Sequence, residues 1–219
     1  ENIHTIRWEG AADGNLVLID QTRLPLDLVE LTCRDLDSVW EAIQQLRVRG
    51  APAIGIAAAY GVVIGLQDAG DLDQQSFNRR VTEVCDHLAT SRPTAVNLRW
   101  ALDDVKALLT PISENARAEA AYDRAAEICD EDVAICSAIG DHGLGVIRHA
   151  WENKGKPQFA SSGVNVLTHC NAGWLATVDW GTALAPIYKA HDAGIPVHVW
   201  VDETRPRNQG ASLTAWELG

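Results

Sequence analysis

Residues 164–201 restrict the fold more than any other stretch, because they read as strand, turn, helix and strand in close succession. Val164-Asn165-Val166-Leu167 is a mostly apolar, valine-rich run expected to form a short interior strand. Leu184, Ile187, Tyr188 and His191 then recur at helical spacing, and Val197-His198-Val199-Trp200-Val201 reads as a second strand. Two strands joined through a helix make a βαβ unit with a right-handed crossover, which brings the loops beyond both carboxyl ends to one edge of the sheet. Ligands of open α/β sheets bind at that edge. The first loop is Thr168-His169-Cys170-Asn171-Ala172-Gly173 and the second runs from Asp202 to Gly210. A thiol and an acid-arginine-glutamine loop are therefore expected to share one pocket.

The rest of the chain organises around this unit. Ile3 to Trp8 and Leu16 to Ile19, separated by Asp13-Gly14, read as a hairpin. After Pro25 the pattern turns helical, with apolar positions recurring through Leu36–Leu46, Phe77–Leu88 and Leu98–Leu108. From Glu114 to Glu152 the chain is alanine-rich and charged, which predicts long helices bridging the two halves; Gly155-Lys156-Pro157 and Ser161-Ser162-Gly163 then interrupt. The expected fold class is α/β. A small β-hairpin plus helical domain over 1–125 precedes a Rossmann-like parallel-sheet domain over 126–219, which has only two evident strands and so reads as truncated.

The 219 residues include 18 basic and 30 acidic side chains, a net charge of −12 that opposes binding to nucleic acid or an anionic membrane. No apolar run nears 18 residues and no signal-peptide pattern stands at the N-terminus, so a cytoplasmic protein is the default expectation. The chain begins at Glu1 and contains no methionine, compatible with processing, trimming or editing alike. Cys33, Cys85, Cys129, Cys136 and Cys170 are odd in number and lack Cys-x-x-Cys spacing, which suggests neither a disulfide framework nor a zinc site. Cys85, Cys129 and Cys136 fall on apolar helical faces and are expected to be core.

Arg49-Gly50-Ala51-Pro52 precedes the apolar run Ala53 to Leu66. Proline suits a helix start, and free N–H groups there favour an anion, with Arg49 adding charge and Gly50 allowing close backbone approach. A plain helix cap is the alternative. Arg92 precedes Pro93 in a loop entering another helix, where it is either a surface arginine or a ligand contact. Cys170 reads as a buried inert thiol or as an acid/base group tuned by its surroundings. His169 is expected to point away from the pocket into a buried hydrogen bond, since strand residues alternate faces. Asp202 and Arg205 are expected to order the pocket. Gly143 and Gly145 follow a helical pattern, and no Gly-x-Gly-x-x-Gly follows a strand, so a nicotinamide cofactor is not expected.

Four segments, Arg49–Gly55, Ser91–Leu98, Thr168–Gly173 and Asp202–Pro206, closely resemble the methylthioribose-1-phosphate isomerase family in order and spacing. The wider superfamily includes ribose-1,5-bisphosphate isomerases and regulatory subunits of a translation-initiation exchange factor. The resemblance implies conversion of 5-methylthioribose 1-phosphate to 5-methylthioribulose 1-phosphate, without metal or redox cofactor. Cys170 is then the catalytic acid/base group, and Arg49, Gly50, Ala51, Arg92 and Gln209 bind the sugar phosphate. It further implies homodimers and a catalytic aspartate in a Gly-Ala-Asp-like motif followed by Asn-Lys. None of that lies within 1–219, so this polypeptide by itself is expected to be inactive or poorly folded. Isomerases of ribose 1,5-bisphosphate or 5-deoxyribose 1-phosphate, and a noncatalytic sugar-phosphate sensor, are the alternatives. Trp174 is expected either to line an apolar pocket for a methylthio group or to pack in the core.

Overall fold

The computed structural model describes residues 3–113, 116–153 and 163–219. At its start β1 (Ile6–Glu9) and β2 (Asn15–Ile19) pair antiparallel, Ile6 opposite Leu18 and Glu9 opposite Asn15. Gly10 takes φ 102° in the connecting turn, and the Gly14 amide donates to the Ala11 carbonyl at 2.8 Å. The expected hairpin is present, but it is part of a three-stranded sheet. β3 (Glu30–Cys33) lies along the other edge of β2, in the stretch after Pro25 where the sequence reading passes straight to helix. Four residues are too few for a periodic signal. Partners remote in sequence fix this strand: its ladder to β2, and Arg7, whose guanidinium bonds Glu9 and Glu30 across the sheet.

Four helices follow. α1 (Leu36–Gln44) starts at Asp35, whose carboxylate accepts the Ser38 amide at 2.7 Å, a side-chain cap on the free donors of the first turn. α2 (Ala51–Gly65) is buried from Ala53 onward, as a helix apolar on all faces must be. Around it pack α1, α3 (Gln74–Ser91), α4 (Val96–Leu109) and the first half of α5 (Arg117–Asn153). Ile6, Leu16 and Leu18 close the same core from the sheet.

α5 is one helix of 37 residues, continuous through residues 125 and 126. Ala121, Ala125 and Ile128 belong to the first core, while Ile147 packs in a second core with Leu184, Ile187, Ala190 and Ile195. Helix α6 (Ala185–Asp192) crosses α5 where α5 carries glycine. A Cβ at Gly140 would lie 2.9 Å from Lys189 Cδ, and one at Gly143 would overlap the Pro186 ring. Close packing, not helix breaking, accounts for these glycines.

β4 (Val164–His169) and β5 (Val197–Asp202) pair parallel, Val164 opposite Val197 through His169 opposite Asp202, with α6 between them in sequence. The expected strand–helix–strand unit is thus present. β4 is not a wholly interior strand, however: Val164 and Thr168 are buried while Leu167 is exposed. A wide turn at Gly210–Thr214 leads into the short helix α7 (Ala215–Leu218). A third apolar cluster, Ile19, Leu24, Leu175 and Leu213, joins the two halves. Cys33, Cys85 and Cys136 are buried and Cys129 half-buried, and the five cysteines are free thiols. No helix among the described residues is long and apolar enough to cross a membrane. Glu114, Gly155-Lys156-Pro157 and Ser161-Ser162 lie outside the described residues.

Candidate active site

Cys170 stands one residue beyond β4, with φ 61°. The left-handed region costs a non-glycine residue roughly 1–3 kcal/mol, so the surroundings must impose it. They do so from three sides. The Cys170 amide donates to the Asp202 carbonyl at 3.3 Å, extending the β4–β5 ladder by one bond. The Thr214 hydroxyl donates to the Cys170 carbonyl. The thiol donates to Gln209 Oε1 at 3.2 Å. Gln209 is brought there by Glu203, whose carboxylate accepts the amides of Gly210 and Ala211 at 3.0 and 2.9 Å and so folds the second loop back over the first.

Asn171, 4% exposed, anchors the turn to the N-terminal half. Its Oδ1 and backbone carbonyl accept from Arg49 Nη1 and Nη2, the latter at 2.9 Å. Its Nδ2 donates to Thr214 Oγ1 at 3.1 Å and to Glu217 Oε2 at 2.9 Å. Glu217 also accepts the Trp174 amide at 2.6 Å and the Tyr188 hydroxyl at 2.7 Å. Burial pushes its carboxyl up, with hydrogen bonds from Asn171, Tyr188, Trp174 and Leu175 pulling the other way. Gly173 permits this approach, because a Cβ there would overlap the Glu217 carboxylate.

Arg49 is 8% exposed and has no carboxylate within ion-pair distance among the described residues. Desolvation pulls its guanidinium below the usual value, the facing Cys170 and Glu217 raise it, and the positive charge of Arg92 lowers it further. Arg92 caps α3, where Pro93 ends the helix, and it too forms no ion pair among the described residues. Two guanidiniums that sense each other, with neither neutralised by direct contact, make an anion-receptive region. Ala51, exposed at the first position of α2, adds one of that helix's unpaired amides to the same end. A cavity of 210 Å³ opens onto Arg49 and Gln209, with Gln21, Arg207, Ser212 and Leu213 also in its lining; Ala51, Arg92 and Cys170 do not line it.

The structure thus gathers Cys170, Arg49 and Gln209, sets Gly50 and Ala51 at the start of α2, and brings Arg92 within electrostatic reach. Other expectations need correction. Gly50 has φ 92°, but the group pressed against its Cα is Ala176, since a Cβ would lie 2.5 Å from that residue's backbone; chain, not ligand, explains this glycine. His169, expected in a buried hydrogen bond, is exposed and meets Asp202 at 3.1 Å on the surface, because the sheet is open on that side. Asp202 reaches Cys170 through its backbone carbonyl and spends its carboxylate on His169, and the Arg205 side chain is exposed. Trp174, half-buried, packs with Trp216 against the Ile19–Leu213 cluster, the packing alternative of the two that the sequence left open. Thr214 and Glu217 escaped the sequence reading, and Glu203 enters it only as one residue of the polar loop, without the role of folding that loop back. Only the Glu203 position, directly after a strand carrying loop chemistry, offered a signal.

Residues 47–219 match the Initiation factor 2 subunit family.

The chain belongs to that family.

Among curated relatives, methylthioribose-1-phosphate isomerase of Rhodospirillum rubrum is 55% identical over 212 residues, covering 96% of this chain and 53% of the relative. The enzyme of the same name from Gluconobacter oxydans is 54% identical, covering 97% of this chain and 55% of the relative. Of solved structures, 5-methylthioribose 1-phosphate isomerase from Pyrococcus horikoshii superposes with a TM-score of 0.85 at 33% identity, covering 99% of this chain and 57% of that one. Translation initiation factor eIF-2B subunit delta from A. fulgidus gives 0.82 at 37% identity, covering 99% and 59%. The chain spans about half the length of the curated relatives it matches.

Proposed function

We propose that the protein interconverts 5-methylthioribose 1-phosphate and 5-methylthioribulose 1-phosphate, a step of methionine salvage. The observation that carries this reading is the Cys170 thiol, held in a left-handed turn against Gln209 and within the electrostatic reach of buried Arg49, which no carboxylate among the described residues touches directly. The isomerase names of relatives above 50% identity support it.

The anomeric oxygen of the substrate is esterified, so isomerisation cannot begin from a free aldehyde. In balance, the hydrogen on C2 moves to C1, the C1–ring oxygen bond breaks, and the proton of the C2 hydroxyl ends on the former ring oxygen. Cys170 is the group on this chain that carries a proton along that route. Arg49, Arg92 and the Ala51 amide hold the phosphate; Gln209 orients both the thiol and the sugar. A second acid, in the Gly-Ala-Asp-like motif that the family resemblance implies, has no counterpart in residues 1–219. Assembly as a homodimer and a cytoplasmic location complete the proposal.

The test is ketose formation from 5-methylthioribose 1-phosphate followed by proton NMR, run on the 219-residue polypeptide and on a longer one carrying the Gly-Ala-Asp-like segment. Turnover is expected only in the longer polypeptide, and Cys170→Ser there is expected to lower it by ~10²-fold or more without loss of folding. Undiminished turnover in the serine variant would remove Cys170 from the reaction. Ribose 1,5-bisphosphate and 5-deoxyribose 1-phosphate, run alongside, separate the alternative substrates.

A further inference from the structure

The Arg49 guanidinium is almost fully buried, and its hydrogen-bonding partner is a neutral amide. A buried charge needs a counter-charge. Beyond Asn171 stands a half-buried carboxylate, Glu217, so that the Asn171 amide presents its oxygen to the cation and its nitrogen to the anion. We infer that Glu217 is a positioning residue for Cys170, acting as the counter-charge to Arg49 through the amide of Asn171. This inference rests on the isomerase reading for its catalytic consequence, but not for its geometry.

Three features support it. First, the contacts of Glu217 are donors: the Asn171 amide, the Trp174 and Leu175 backbone amides and the Tyr188 hydroxyl. That is the environment of a carboxylate, and a protonated carboxyl there loses an acceptor. Second, the bonds leave Asn171 a single orientation: reversing its amide would turn NH₂ toward Arg49 and oxygen toward Glu217, opposing like with like at both ends. Third, that orientation reaches the thiol by two routes. Asn171 is the next residue in the chain, and its Nδ2 donates to Thr214, whose hydroxyl in turn holds the Cys170 carbonyl. Glu217 therefore never touches the thiol and yet fixes both the turn that carries it and the cation facing it.

The experiment compares Glu217→Gln with the double variant Asn171→Asp/Glu217→Gln. Glutamine keeps the shape but removes the charge, and its NH₂ must face one of the existing donors. The double variant moves the negative charge one residue nearer Arg49, where the carboxylate placed at position 171 can accept from both Arg49 and the amide placed at position 217. Two readouts are taken. Iodoacetamide labelling of Cys170, resolved by peptide mass spectrometry, needs no substrate. Steady-state turnover of 5-methylthioribose 1-phosphate, measured in the longer polypeptide carrying the Gly-Ala-Asp-like segment, separates kcat from KM.

E217Q is expected to raise the Cys170 labelling rate about threefold or more and to lower kcat about tenfold or more, with KM unchanged or lower because Arg49 is then less offset. The double variant is expected to bring both back to within about threefold of the parent. A merely structural role would raise KM along with the loss of kcat and would show no recovery on moving the charge. Unchanged labelling and kcat in E217Q, or a double variant no better than the single, overturns the inference. Should E217Q fail to fold, folding of the double variant supports the relay and its failure refutes it. A labelling response in the longer polypeptide without isomerase turnover would sink the proposed function and leave the relay standing.

Discussion

The five thiols of this chain differ in chemistry because they differ in surroundings. Desolvation pushes Cys33 and Cys129 up to about 11, and Cys85 and Cys136 up to about 12. A thiol that ionises near 11 is about one part in a thousand thiolate at pH 8, and the thiolate is the nucleophile. Labelling the folded protein with iodoacetamide at pH 8 should therefore modify Cys170 alone, with the other four reacting only as pH rises toward 11 or on unfolding. Mass spectrometry of the labelled peptides checks this, and early labelling of Cys85 or Cys136 would contradict it. Cys170 could be singled out in the sequence because a strand end and a glycine-containing turn are local features. Glu217 could not. In Thr-Ala-Trp-Glu-Leu it reads as an ordinary helical acid, and its partial burial is decided by Gly173, Asn171 and Tyr188, up to 46 residues away in the chain.

Elements were legible in proportion to their length. Helices α1, α3 and α4 stand where periodicity places them, α2 where an unbroken apolar run does, and the β4–α6–β5 unit is likewise in its expected place. β3 was missed because Glu-Leu-Thr-Cys carries no pattern of its own and is a strand only through β2. The glycines of α5 argue the same point from the other side. Gly143 lies under the Pro186 ring, whereas nothing lies within 4 Å of a Cβ at Gly145. Alanine favours a helix interior over glycine by about 1 kcal/mol, while forcing extra atoms into a packed crossing costs roughly 1–3 kcal/mol. Gly145→Ala is expected to stabilise the protein and Gly143→Ala to destabilise it, as read by urea denaturation. Equal effects would mean that the α5–α6 crossing is looser than described.

At the scale of the whole molecule, the two cores are tied together more tightly than the sequence suggests. α5 contributes to both. Thr5 Oγ1 donates to the Trp174 carbonyl at 2.6 Å and Gln21 Nε2 to the Leu175 carbonyl at 2.7 Å, beside the Arg49–Asn171 bonds and the Ile19–Leu213 cluster. Local sequence predicts two units but not the bonds between them, because those depend on which surfaces meet. Melting one half would strip partners from the other, so urea unfolding followed by tryptophan fluorescence and by far-ultraviolet circular dichroism should give one coincident transition. Two separated transitions would show that the halves unfold independently. The interlock also has a bearing on the thiol. The left-handed turn is held by Arg49 from one half and by Thr214 and Glu217 from the other, so its geometry exists in neither half alone. A chain caught midway through folding, or nicked between the halves, exposes an ordinary cysteine, and competence for chemistry becomes a certificate that the molecule has been finished.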